Sequence, residues 1–161
     1  MDTILLASHD QRAFQRLKSA CQDQGYELVG ACHVLDVIHH AQLGTVGALI
    51  IDLRLPDMLG WGMLRSVRAS GISLPIITLV GADPGFDRNL LFSMACQAGA
   101  DMAVQAHTQS QQLATWVVDA IHAQGDGADA EGHSALDVTH NRLNPLVYEC
   151  VRKPAKVMAK V

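Results

Sequence analysis

The chain has 161 residues, of which 49% are hydrophobic and 17% charged, with a formal net charge of −4. That length suits one domain, and that composition suits a buried core rather than a disordered chain, a collagen or a coiled-coil rod. No apolar run approaches the roughly 18 residues of a membrane span, and the negative balance disfavours unspecific nucleic-acid binding.

Asp2 and Asp10 stand where a secretory leader would be cationic and then apolar. Cys21, Cys32, Cys96 and Cys150 form no CxxC pair, as expected of reduced thiols in a cytoplasmic protein. The charge is uneven along the chain. Residues 1–124 hold seven Lys/Arg against eleven Asp/Glu, residues 125–137 four acids and no cation, and residues 138–161 five cations against Glu149. The Gly-, Ala- and acid-rich middle stretch reads as a flexible linker. A domain over 1–124, a linker over 125–137 and a basic tail over 138–161 are therefore expected.

In chain order, Thr3 to Ala7 is a short apolar strand. Asp10 offers an N-cap to a helix carrying Phe14, Leu17 and Cys21 at helical spacing, and Gly25 closes it. Leu28 to Cys32 is a second strand and Leu35 to Gln42 a short helix. Ala48 to Ile51 is a buried strand that ends at Asp52, followed by a helix over Leu59 to Ala69. Pro75 to Val80 is a fourth strand. Asp83-Pro84 supplies a cap and a first-turn proline for a helix reaching about Ala98. Met102 to Gln105 is a fifth strand, and Thr108 caps a last helix through Leu113, Trp116, Val117 and Ile121. Five such βα units with continuously apolar strands imply a parallel sheet covered on both faces. Chemistry is then expected beyond the carboxyl ends of the strands.

The stretch from Leu49 to Gly60 joins an apolar strand, a terminal acid at Asp52 and a Pro56-Asp57-x-x-Gly60 turn. It resembles the phosphoacceptor segment of response-regulator receiver domains, as do Leu74-Pro75-Ile76-Ile77 and Ala98-Gly99-Ala100-Asp101 at the approaches to strands four and five. The resemblance covers about residues 3–123. It implies a flavodoxin-like three-layer α/β sandwich with five parallel strands in the order 2-1-3-4-5, and Asp52 at the position that family phosphorylates.

It also implies a pocket from which this sequence departs. The family holds Mg²⁺ with two acids after strand one, and here Ser8-His9 stand there, with Asp10 one position late. Its Ser/Thr after strand four corresponds to Val80, its lysine after strand five to Ala106 and the following proline to His107. The aromatic switch position on strand five is Ala103. Moving a phosphoryl group onto a carboxylate brings two anions together, and each lost electrostatic partner costs about 3 kcal/mol of transition-state stabilisation. The expectation is a pseudo-receiver, not an enzyme, that signals by binding proteins with Asp52 phosphorylation impaired or absent.

Alternatives stand beside that reading. Asp52 is either a phosphoacceptor of a working phosphorelay, served by a sensor kinase, or a residual carboxylate capping its turn. Mg²⁺ would be weakly held; a transition metal on His9, Asp10 and Asp52 is a further option, against a plain strand-end histidine. No organic cofactor is implied. Phe86, Leu90, Leu91 and Met94 make the fourth helix apolar almost all round, which suits either deep packing or, with Ala103 beside them, a partner or homodimer surface. In the tail, Asn144-Pro145 followed by Leu146, Val147, Cys150 and Val151 suggests a short helix, against an unstructured terminus. No direct nucleic-acid binding is expected, although the chain could be the regulatory part of a nucleic-acid-binding regulator.

Overall fold

A computed structural model describes residues 2–56, 59–82, 85, 87–125 and the backbone of 147–149. The chain alternates strands and helices: β1 (Thr3–Ala7), α1 (Gln11–Asp23), β2 (Glu27–Gly30), α2 (Val34–Gln42), β3 (Val46–Asp52), α3 (Leu59–Ala69), β4 (Ile76–Val80), α4 (Arg88–Ala98), β5 (Met102–Gln105), α5 (Ser110–Gly125) and β6 (Val147–Glu149). The sheet order is β2-β1-β3-β4-β5-β6. The first five strands are parallel and β6 runs antiparallel on β5. The five-stranded flavodoxin-like sandwich expected from the sequence is present, with one strand added at its edge.

The central strands are unbroken apolar runs because both their faces are covered. Leu49 and Ile51 point into one core with Leu64, Val67 and Phe92. Ile50 points into the other with Ile4, Leu17, Ile77 and Val117. Each such side chain contributes about 1.5–3 kcal/mol on burial. This double cover fixes the register, since a one-residue slip would exchange the two cores. The strand ends that bear Ser8 and Asp52 are thereby held side by side: Ala7 pairs with Ile51, and Asp52 with Leu79.

Helix starts follow local chemistry. The Asp10 side chain accepts from the amides of Arg12 and Ala13, capping α1. Gly25 takes φ +84° just beyond that helix, a left-handed turn suited to glycine. Two expected caps fall elsewhere. Helix α4 begins at Arg88, capped by Asp87 through the Asn89 amide, whereas Asp83, Pro84 and Phe86 lie outside the described residues. Helix α5 begins at Ser110, and the Thr108 hydroxyl is buried without a hydrogen-bond partner instead of capping.

Three other expectations are corrected. Ala103 is fully buried, with β4 on one side and β6 on the other, so its side chain is not part of the exposed surface that the candidate interface required. Val147–Glu149 is a strand, not part of a helix, because β5 offers it a row of backbone partners that an isolated helical turn lacks. The linker from residue 126 onward and the remainder of the tail lie outside the described residues. Among the cysteines, Cys21 and Cys32 carry free thiols, but Cys96 is disulfide-bonded, so the expectation of four reduced thiols does not hold. No helix of the described residues is long and apolar enough to cross a membrane.

Candidate functional site

Asp52 ends β3 with only 3% of its surface exposed, so its charge must be met from within the protein. The turn after the strand supplies what is needed. The backbone amide of Arg54 donates to Asp52 Oδ1 at 2.9 Å. The Arg54 side chain folds back over the same carboxylate, with Nε to Oδ1 at 3.0 Å and Nη2 to Oδ2 at 2.8 Å. Ser8, at the end of β1, donates its hydroxyl to Oδ2 at 3.0 Å and accepts from the Asp10 amide at 3.1 Å. Asp52 thus accepts four hydrogen bonds, two of them from one guanidinium in the planar fork that arginine fits best.

The electrostatics agree with the geometry. The hydrogen bond from Arg54 to Asp52, together with the attraction of Asp52 and Asp10, raises the Arg54 pKa further above its ordinary value. The Asp10 carboxyl is held below its usual range, first by the Ala13 amide and also by the Arg12 amide and the Arg54 charge. Arg54 is 40% exposed against 4% for the Asp52 side chain, so the pair is a buried anion under a half-open cation.

His9, Asp10, Asp52, Arg54, Leu55 and Pro56 line a pocket of about 320 Å³ at this end of the sheet. Of the residues singled out from the sequence, Ser8 touches Asp52, while His9 and Asp10 share the pocket without bonding to it. The proposed ligand set does not gather: Asp10 faces its helix amides and Asp52 faces Arg54. Among the described residues no group of three His, Cys, Asp or Glu side chains is placed to hold a metal ion.

Val80 and Ala106 meet through the backbone, the Ala106 amide donating to the Val80 carbonyl at 3.0 Å. With Gly81, Asp87, Arg88, Gln105 and His107 near them, Val80 borders a second hollow of about 290 Å³. In the amide orientation that satisfies both groups, the Gln105 oxygen accepts from Arg88 Nε at 2.8 Å. Every described peptide bond is trans. On α4, Leu90 is 48% exposed, whereas Leu91 and Met94 are half-buried and Phe92 is buried.

The sequence reading missed Arg54. A cation two residues beyond a strand-end acid was the available signal, since a tight turn lets the longer side chain double back.

The family model of the response regulator receiver domain matches residues 4–118. The chain belongs to that family. Receivers are signalling domains that interact with sensor kinases or other proteins, and this chain is such a domain by descent. A probable transcriptional regulatory protein, SilR of Salmonella typhimurium, is 28% identical over 76 residues, covering 47% of this chain and 33% of SilR. The transcriptional regulatory protein PcoR of Escherichia coli is 26% identical over 83 residues, covering 52% of this chain and 37% of PcoR. The match spans about a third of the length of these curated relatives. Among solved structures, the receiver domain of the Francisella response regulator 1452 superposes with a TM-score of 0.66 at 18% identity, covering 77% of this chain and 99% of that one. The receiver domain of the TMAO respiratory system response regulator TorR gives 0.64 at 21%, covering 76% and 98%. These structures share the receiver's fold.

Proposed function

We propose that this chain is a receiver-type module that signals by binding protein partners, with Asp52 serving as one arm of an ion pair rather than as an efficient phosphoacceptor. The observation that supports this reading is the Arg54 fork on Asp52. Phosphoryl transfer needs a free carboxylate oxygen and cations arranged on the incoming group. Here both oxygens are already engaged, and the nearest cation is spent on the acceptor itself.

The residues present do not suit Mg²⁺, which favours hard oxygen ligands in octahedral array. Ser8 and His9 stand where the family resemblance places acids, and Asp10 caps α1. A divalent ion approaching Asp52 would meet a guanidinium of like charge. In this reading the pocket is a fixed electrostatic surface offered to a partner, a sensor kinase included.

Incubating the full chain with acetyl phosphate and Mg²⁺, then weighing it intact, tests the reading. The expected result is no phosphate adduct on the timescale at which a receiver with a full acid, hydroxyl and lysine set is modified. Rapid gain of one phosphate that Asp52→Asn abolishes would instead favour a working phosphorelay receiver with an unorthodox metal site.

A second reading draws on the curated relatives, which are named as transcriptional regulators: the receiver governs a nucleic-acid-binding function. Low-salt fluorescence polarisation with labelled duplex DNA separates direct binding by this chain, read as a concentration-dependent rise, from a purely regulatory part, which leaves polarisation unchanged.

A further inference from the structure

Gly81 follows β4, and its backbone does not call for glycine. The left-handed φ values belong to Gly25, Gly44, Gly71 and Gly99, so the conformation of Gly81 is open to other residues. What it supplies is space. A Cβ on Gly81 would lie 2.7 Å from Arg54 Cγ and 2.9 Å from Arg54 Cδ. Among the described residues, its chain neighbours aside, no other atom would come within 4 Å of that Cβ.

The sheet brings the two residues together. Asp52 pairs with Leu79, and the Leu53 amide donates to the Leu79 carbonyl at 2.9 Å. Arg54 and Gly81 each stand two residues beyond that pair, on neighbouring chains. The Arg54 amide is held by Asp52 Oδ1, and its side chain crosses Gly81 on the way back to the carboxylate. A methyl group at position 81 would occupy that path. The head of the same arm lies among the pocket's acids. Its Nε and Nη2 meet Asp52. The Asp10 carboxyl, held down first by the Ala13 amide, also feels the Arg54 charge. Both acids that line the pocket therefore sit in the field of one guanidinium.

We propose that Gly81 is the positioning residue of the Asp52 site: by presenting no Cβ it seats the Arg54 arm, and the seated guanidinium holds the place of a divalent cation against Asp52. This deepens the ion-pair role proposed for Asp52 above and rests on it. A cation on the chain itself is present at a fixed effective concentration and is not withdrawn by a chelator. The pocket then keeps one charge state at every level of divalent ion, and a partner meets a constant surface.

The test compares the full-length wild type with Gly81→Ala, Arg54→Ala and the double variant, in the absence of any phosphoryl donor. Its outcome is thus independent of whether Asp52 can be phosphorylated. In urea denaturation, Gly81→Ala should lower the midpoint in the wild-type background. In Arg54→Ala, where no stem crosses the site, it should leave the midpoint unchanged or raise it. In NMR spectra the Arg54 Nε–H should exchange slowly with solvent in the wild type and move to the position of a free arginine in Gly81→Ala. Manganese(II), added alone, should leave the wild-type Asp52 amide sharp and broaden it in both Arg54→Ala and Gly81→Ala. An equal loss of stability in the two backgrounds overturns the proposal, as does an Arg54 Nε–H unmoved by Gly81→Ala. So does broadening that is equal in wild type and variants, or an Arg54→Ala or Gly81→Ala protein that manganese leaves sharp. If Gly81→Ala alone gives no cooperative transition, the double variant should regain one, and its failure to do so overturns the proposal as well.

Discussion

The guanidinium of Arg54 closes over the carboxylate of Asp52, two residues back, with Nη2 2.8 Å from Oδ2 and Nε 3.0 Å from Oδ1. Removing the cation leaves a buried anion with only the Ser8 hydroxyl and a backbone amide. Arg54→Ala should therefore cost about 1–3 kcal/mol in urea denaturation at neutral pH, less than a fully buried pair because the arginine is half in water. Arg54→Lys should recover only part of that, since an ammonium cannot make the fork. If Arg54→Ala costs as much in an Asp52→Asn background, the pair contributes nothing to stability.

Arg68 holds the opposite end of the sheet. It donates to the carbonyls of Gly99, Ile72 and Leu74 at 2.6, 2.9 and 2.8 Å and to Asp101 at 2.6 Å. Asp101 also accepts from the Ile76 amide at 2.9 Å. One side chain thus ties the end of α3, the approach to β4 and the α4–β5 turn. Arg68→Ala should lower stability by about 2–4 kcal/mol, through several part-buried acceptors left unmet. A denaturation midpoint within error of wild type would refute the clamp.

Gly60 and Gly62 should respond with opposite signs. A Cβ at Gly60 would lie 2.5 Å from the Asp52 carbonyl oxygen and 2.8 Å from Leu53 Cα, both backbone atoms that cannot swing aside. Gly60→Ala should cost about 1–3 kcal/mol and shift the amide resonances around Asp52. Gly62, in the same helix, faces open space, and Gly62→Ala should gain about 0.5–1 kcal/mol from helix propensity. Equal effects of the two would contradict the close approach at Asp52.

The two free cysteines should differ in reactivity. Cys21 is fully buried, and burial raises its thiol to about 11 from an ordinary 9.0, while Cys32 is exposed. Iodoacetamide at pH 8 should label Cys32 rapidly and Cys21 only on unfolding. The linkage follows the same sign. The unfolded thiol ionises first, so stability should fall as pH rises from about 9 to about 11. That loss should be reduced in Cys21→Ala, which urea midpoints along a pH series would measure.

The five βα units were legible in the sequence because strands buried on both faces must be continuously apolar, and Asp52 stood out as the acid that ends a buried strand ahead of a Pro-Asp-x-x-Gly turn. What escaped depends on contacts distant in sequence or made by unusual turns. Arg54 was not singled out in the sequence, because only the turn after β3 brings its side chain back over Asp52. Asp83-Pro84 and Asp87 are equally good cap sequences, and the start of α4 at Arg88 distinguishes them only in the fold. Val147-Tyr148-Glu149 sits in a pattern with helical spacing, and only the β5 edge, more than forty residues earlier, makes a strand the better state.

The direction of β6 has a practical consequence for anyone attaching a probe. Running from beside Val104 toward Met102, it delivers the backbone to the pole of the molecule farthest from Asp52. A fluorophore or surface anchor joined just after Glu149 would leave the carboxylate end unshadowed and free to meet whatever docks there.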